Sequence, residues 1–191
     1  MVAGALGGRR LAVPRGGGTR PTSDRVREAL FSTLGDRVAG AVVLDLFAGT
    51  GALGIEALSR GAASASFVER DPRVAAVLRR NLADLGLEAT VHVTTASRWV
   101  ADLTPDQVFD LVLCDPPYAV ASDEVVDLLV RLTSEGHVAA DGMLVVERAR
   151  HGPGLVVPGG DLVVTDARRY GDTVLYYLRR PVDDEGRDLG A

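Results

Sequence analysis

Val42-Val43-Leu44-Asp45-Leu46-Phe47-Ala48-Gly49-Thr50-Gly51-Ala52-Leu53-Gly54 is the stretch that decides the fold. It opens as a continuous apolar run, passes through a glycine-rich turn, and enters a segment with helical spacing. The reading is a strand over Val42–Phe47, a tight loop, and a helix over Ala52–Arg60. The loop has the form G-x-G-x-x-G, and Glu69 follows Gly49 by 20 residues, at the tip of the next apolar run. Glycines let backbone approach a ligand closely, and an acid at that distance accepts hydrogen bonds from a ribose diol. Both features serve any adenosine cofactor, nicotinamide dinucleotides and S-adenosylmethionine alike. A turn needed only for packing is the plain alternative.

Outward from this unit the pattern alternates. Ala65–Glu69 reads as a strand, Pro72–Leu85 as a helix ended by Gly86, and Ala89–Thr95 as a strand. A short helix follows near Ser97–Asp102. Phe109–Cys114 is a strand, Asp123–Ser134 a helix, and Met143–Glu147 a strand. Leu162–Ala167 and Thr173–Arg179 alternate apolar and polar residues around Tyr170-Gly171-Asp172, the pattern of an antiparallel hairpin. Upstream, Thr22 or Ser23 caps a helix that starts at Asp24, carries the stripe Val26, Ala29, Leu30, Phe31 and Leu34, and stops at Gly35. Alternating strands and helices imply a parallel sheet covered on both faces, and continuous apolar strands agree. Ligands of such sheets bind beyond the carboxyl ends of the strands. Gly49, Glu69, Ala96 and Asp115 each follow an expected strand and are therefore expected along one rim.

The second informative stretch is Asp115-Pro116-Pro117-Tyr118. A carboxylate, two prolines and a phenol at a strand's tip combine a fixed acceptor with a stacking surface. That combination suits a flat molecule bearing an exocyclic amine. The plain alternatives are a helix cap or salt bridge for Asp115 and core packing for Tyr118. Asp45 sits on the first strand, where its carboxylate suits a methionine amino group and meets a diphosphate poorly. Together with the small size of the chain, these features favour S-adenosylmethionine over a nicotinamide cofactor.

Composition narrows the field. The chain has 191 residues, 47% of them hydrophobic, enough for one domain with a real core. No apolar run is long enough to span a bilayer, and the N-terminus carries no apolar leader, so a cytoplasmic location without membrane partners is expected. The single cysteine, Cys114, reads as a small core residue, and with His92, His137 and His151 it offers no metal spacing. Trp99 is expected to pack the short helix after the third strand. The net charge is −5, but residues 1–37 carry seven arginines against three acids, so the remainder stands at −9. A basic arm on an acidic body points to the arm as the part that meets a polyanion. Arg9, Arg10, Arg15 and Arg20 are the candidate phosphate contacts.

Asp45–Gly54 resembles the cofactor loop of class I S-adenosylmethionine-dependent methyltransferases, and Asp115–Tyr118 resembles the [Asn/Asp/Ser]-Pro-Pro-[Tyr/Phe/Trp] motif of their amino-methylating branch. The segment Arg20-Pro21-Thr22-Ser23-Asp24-Arg25-Val26-Arg27-Glu28-Ala29-Leu30-Phe31, with Gly-Gly-Arg-Arg-Leu before it and Arg169-Tyr170-Gly171-Asp172-Thr173 after it, resembles the bacterial RsmD family. The likeness covers about residues 7–180. It implies an α/β Rossmann-like fold: a seven-stranded, mostly parallel sheet in the order 3-2-1-4-5-7-6 with the last strand antiparallel. It also implies a small N-terminal extension; the residues themselves divide the chain into a basic extension (1–37, a hairpin with a turn at Gly7-Gly8 plus a helix), a catalytic domain (38–180) and a tail (181–191) whose acidic composition reads as disordered.

The implied activity is methylation of a guanine N2 in small-subunit (16S) ribosomal RNA, on a ribonucleoprotein particle such as the 30S subunit or an assembly intermediate, by a monomer. The catalytic candidates are Asp115, Pro116 and Tyr118. The cofactor candidates are Asp45, Phe47, Ala48, Gly49, Thr50 and Gly51, then Gly54, Glu69, Arg70, Ala96, Ser97 and again Asp115. No metal is implied. Arg20, Thr22 and Arg25 are further candidates for the cofactor carboxylate. Two departures stand out: the N-terminal hairpin is short, and Thr95-Ala96-Ser97-Arg98 offers no acid for the adenine amine, which leaves the Ala96 backbone, Ser97 or stacking. Competing readings are an amino-methyltransferase for DNA or protein, a nucleotide-cofactor oxidoreductase, and a non-catalytic RNA-binding factor.

Overall fold

The computed structural model describes residues 3–13 and 24–181. Seven strands form one sheet in the order β3-β2-β1-β4-β5-β7-β6. They are β1 (Val42–Asp45), β2 (Ser64–Glu69), β3 (Thr90–Val93), β4 (Phe109–Cys114), β5 (Val138–Ala149), β6 (Val163–Tyr170) and β7 (Thr173–Arg179). The first five run parallel, and β7 inserts antiparallel between β5 and β6. The fold expected from the resemblance is the fold observed.

The helices follow from local chemistry. In α1 (Asp24–Leu34) an acid opens the first turn, where the helix dipole favours it, and Val26, Leu30, Phe31 and Leu34 form the buried stripe. Gly35 then leaves the helix at φ +53, a conformation glycine adopts without strain. α2 (Ala52–Ser59) begins directly from the glycine loop. In α3 (Pro72–Asp84) the Asp71 carboxylate accepts the Arg73 N–H at 2.8 Å and Pro72 occupies the first position, two independent start signals. Thr95 caps α4 (Ala96–Ala101) in the same way. α5 is Ser122–Ser134.

Because side chains alternate across a strand, the sheet divides the core in two. Val43, Phe67, Leu111, Leu113 and Val145 face α1, α2 and α3. Leu44, Val68, Val112, Cys114 and Val146 face α4 and α5. Trp99 lies in the second cluster, with its ring 5.1 Å from His92 and 5.9 Å from Phe109. Cys114 is buried there, and burial pushes its thiol well above the usual range.

Two expectations need correction. β5 is longer than Met143–Glu147: Asp141-Gly142 lies within an irregular stretch that continues the strand back to Val138. Gly142 is tight there: a Cβ would meet Val138 Cγ1 at 2.8 Å. At the N-terminus a turn does fall at Gly7-Gly8, with Gly8 at φ +79, but no strand flanks it among residues 3–13. These residues instead lie along α2 and α3. Ala5 N–H donates to the Ser59 carbonyl, Ala3 N–H to the buried Glu56 carboxylate, and Ala12 N–H to Asn81 Oδ1. Hydrogen bonds to backbone and side-chain groups of α2 and α3 replace a strand ladder. The expected acidic tail lies outside the described residues from 182 onward.

Candidate active site

The carboxyl ends of the parallel strands open into a cavity of about 820 Å³. Gly49, Glu69, Ala96 and Asp115 all line it, as do Asp45, Phe47, Ala48, Thr50, Arg70, Ser97, Pro116 and Tyr118. That volume lies at the upper end of ordinary ligand pockets.

The glycine loop is built from within. Gly49 stands at φ +54, and a Cβ there would meet nothing within 4 Å, so its face is open to a ligand. Its N–H donates to Glu69 Oε2 at 2.9 Å, while Asp71 N–H donates to Glu69 Oε1 at 2.8 Å. Both oxygens are thereby aimed, and a carboxylate retains lone pairs for a diol. Gly51 and Gly54 differ from Gly49, and neither lines the cavity. A Cβ on Gly51, at φ +88, would lie 2.3 Å from Leu78 Cδ1, and one on Gly54 would lie 2.3 Å from Phe67 Cε1. Their smallness lets α2 pack on α3 and the sheet. The fingerprint thus divides into one glycine at the cavity and two in the core.

Asp45 is buried, and its Oδ2 accepts the Gly54 N–H at 2.9 Å. Burial pushes its carboxyl up to about 7, with Asp115 and Glu69 nearby adding to the rise and the Gly54 bond opposing it. An ionised Asp45 therefore calls for a cation beside it. Glu124 and Glu147 add to the acidic lining, while Arg25, Arg70 and Arg169 supply the opposite charge.

The Asp115–Tyr118 loop is arranged differently. Pro116 is buried, Asp115 half-buried, and the Tyr118 ring 61% exposed, which removes core packing as its role. Downstream, the buried Arg148 guanidinium donates to the Val120 carbonyl at 2.9 Å and to Ser122 Oγ at 3.2 Å, and so anchors the far end of the loop.

Sequence reasoning missed several lining residues. Glu147 at the end of β5 and Thr173 at the start of β7 reach the cavity because β7 returns antiparallel beside β5. Asn81 is buried in α3. Its amide donates to the Thr50 carbonyl at 3.0 Å and the Ala12 carbonyl at 3.1 Å, tying the N-terminal segment to the glycine loop. No short-range pattern signals such ties. Val13, at the end of that segment, lines the cavity. Arg9 and Arg10 are exposed and away from the lining, and Arg15, Arg20 and Thr22 lie outside the described residues. Among the described residues no cluster of acids, histidines or cysteine is placed to hold a metal ion, and no helix is long and apolar enough to cross a membrane.

The model of the family described as Conserved hypothetical protein 95 matches residues 1–179. The chain belongs to that family. A member in Escherichia coli K12 named Ribosomal RNA small subunit methyltransferase D is 40% identical over 77% of this chain and 73% of its own length. YlbH of Bacillus subtilis is 37% identical, covering 94% of this chain and 98% of its own. The solved structure of yhhF from Escherichia coli superposes with a TM-score of 0.79 at 35% identity, covering 94% of this chain and 96% of that one. The family resemblance drawn from the motifs therefore holds, and the fold is the S-adenosylmethionine-dependent methyltransferase fold.

Proposed function

We propose that this chain transfers a methyl group from S-adenosylmethionine to the exocyclic N2 amine of a guanine in small-subunit ribosomal RNA. One observation carries the reading: a single cavity joins the glycine loop and its tethered Glu69 to Asp115 and the exposed Tyr118 ring. Membership in a family with a small-subunit ribosomal RNA methyltransferase supports the choice of substrate.

The lining fits the cofactor. S-adenosylmethionine supplies, when bound, an electrophilic methyl group on a cationic sulfonium. Glu69, held by two backbone N–H groups, accepts from the ribose hydroxyls. Asp45 faces the ammonium group. Gly49 and Thr50, with Phe47 and Ala48 before them, let the backbone approach, and Arg70 flanks the ribose. Ala96 and Ser97, at the start of α4, meet the adenine. Arg25 at the cavity wall suits the carboxylate. A dinucleotide would bring its diphosphate against Asp45 and Glu69, so the same lining disfavours the nicotinamide reading.

The target base must leave its stack to reach this depth, at a cost of a few kcal/mol that loops and bulges of RNA reduce. Asp115 and the Pro116 carbonyl then each accept one N–H of the amine. That pyramidalises the nitrogen and aims its lone pair at the methyl group. Pro116 and Pro117 fix the backbone, so the acceptors are in place before the base arrives. Tyr118 stacks on the base. With acceptors and ring pre-set, rate comes mainly from alignment.

The protein acts as a cytoplasmic monomer. Arg9, Arg10, Arg15 and Arg20 are the proposed phosphate contacts. A body of net charge −9 repels bare RNA, which favours a ribonucleoprotein particle as substrate. The test is transfer of labelled methyl groups to small-subunit particles from cells lacking the protein, to the same RNA stripped of protein, and to DNA. Label is expected chiefly in the RNA of the particles. Label confined to DNA or to protein would overturn the reading.

A further inference from the structure

The sheet register places two carboxylates side by side. The last paired residues of β4 and β5 are Cys114 and Val146, so Asp115 and Glu147 are the next neighbours. Adjacent strands lie roughly 5 Å apart. Asp115 continues the side of the sheet occupied by Leu111 and Leu113, and Glu147 the side occupied by Val145, so both leave from the same face. Both line the cavity. The Thr173 hydroxyl, from β7, donates to Glu147 Oε1 at 3.3 Å and so fixes the carboxylate from the strand on its far side.

Two carboxylates in a row, when ionised, present only acceptors. Among the bases that carry an exocyclic amine, guanine alone puts a second donor beside it: N1–H stands next to the N2 amine. Adenine places the N1 lone pair beside its amine, and cytosine places N3 there. With the amine on Asp115, guanine offers Glu147 a hydrogen. Adenine or cytosine would set a lone pair against a negative charge.

We infer that Glu147 is the residue that selects guanine, accepting the base N1–H while Asp115 holds the N2 amine. This rests on the amine-methylating reading above and deepens it by assigning the base preference to a named side chain. The same strand spacing gives the cavity its layout. Glu69, on β2, lies two strands from Asp115, roughly 10 Å away, on the opposite side from Glu147. The cofactor therefore occupies the Glu69 side of Asp115 and the base occupies the Glu147 side. Thr173 acts as a positioning residue for Glu147.

The test uses small-subunit particles reconstituted with either guanosine or 2-aminopurine riboside at the nucleotide found to be methylated. 2-Aminopurine keeps the reacting amine but carries an unprotonated N1. Wild-type protein is expected to prefer guanine in kcat/KM by about a hundred-fold or more, since a site built for a donor rejects an analogue that lacks it. In Glu147→Gln the amide can donate to N1, so the preference is expected to shrink at least ten-fold. The Kd for S-adenosylmethionine should stay within about three-fold, which also reports an intact fold. Thr173→Val should narrow the preference less than Glu147→Gln. An unchanged preference in Glu147→Gln, with guanine still methylated on N2 by the wild type, overturns the inference and leaves the function standing. A wild-type product methylated on a different base overturns the function and this inference with it.

Discussion

The two loops that meet in the cavity are built on opposite plans. Around the glycine loop, the carboxylates are already engaged by the protein: Glu69 by the Gly49 and Asp71 N–H groups, Asp45 by the Gly54 N–H. Glycines with no room for a Cβ lock the loop to α3 and the sheet. The Asp115–Tyr118 loop is held in another way. Its rigidity comes from two prolines and from the distant clamp of Arg148, and its ring stands open to solvent. A small cofactor of constant shape suits a cradle finished in advance. A base delivered on a large RNA suits a half-site that the substrate completes.

That contrast predicts separable losses. The largest is expected at Asp115. Asp115→Ala should lower methyl transfer by about a thousand-fold, the scale seen when a pre-placed polar group facing the reacting atoms is removed. Cofactor affinity, read by calorimetry, should change by no more than about three-fold. A comparable loss in both would mean that the two loops are not separate devices.

Tyr118→Ala comes next. Loss of one stacked base contact is worth about 1–3 kcal/mol, so kcat/KM should fall about 5- to 150-fold. Tyr118→Phe keeps the ring and should lose much less. Equal losses in the two variants would point to the hydroxyl rather than to the stacking face.

The cradle breaks in other ways. Asp45 must be ionised to face a cation, and burial pushes its carboxyl up to about 7. Cofactor affinity should therefore weaken as pH falls below 7, approaching ten-fold per unit, and Asp45→Asn should bind weakly with a flat profile. The stability of the unliganded protein runs the other way. A group whose folded pKa lies above its unfolded value favours folding below about 4, and that contribution is lost as pH rises through 7. Asp45→Asn removes this loss and can still accept the Gly54 N–H, so its unliganded Tm at pH 8 should exceed that of the wild type. A lower Tm at pH 8 would contradict the account of Asp45 as a charge held ready for a cation.

The smallest expected effect is one of packing. Gly54→Ala sets a methyl group against the Phe67 ring, an overpacking cost of about 1–3 kcal/mol. At this chain length that corresponds to a Tm lower by about 2–12 °C. A normal Tm would show that the ring yields freely and that the cradle is looser than its contacts imply.

Most of the architecture was legible in the sequence, because β–α alternation, glycine stops and caps are local signals. Asp71 and Pro72 mark the start of α3, Phe109–Cys114 delimits β4, and Asp115–Tyr118 marks a loop that lines the cavity. Features that depend on distant partners were not legible. A pattern cannot distinguish Gly49, which faces the cavity, from Gly51 and Gly54, which face Leu78 and Phe67. Glu147 reads as the end of an apolar strand until β7 returns beside it and brings Thr173 into reach. Asn81 reads as a polar residue in an amphipathic helix until Ala12 and Thr50 arrive on either side of its amide. The N-terminal residues form no strand in 3–13 because Glu56, Ser59 and Asn81 take their backbone groups.

The central claim is that one cavity brings a methyl donor and a guanine amine together at Asp115. Nucleoside analysis of small-subunit RNA methylated by the purified protein tests it most directly. The account predicts a single new product, N2-methylguanosine, with wild-type protein, formed about a thousand-fold more slowly with Asp115→Ala. A methyl group on another base, or undiminished product from the Asp115 variant, would contradict it.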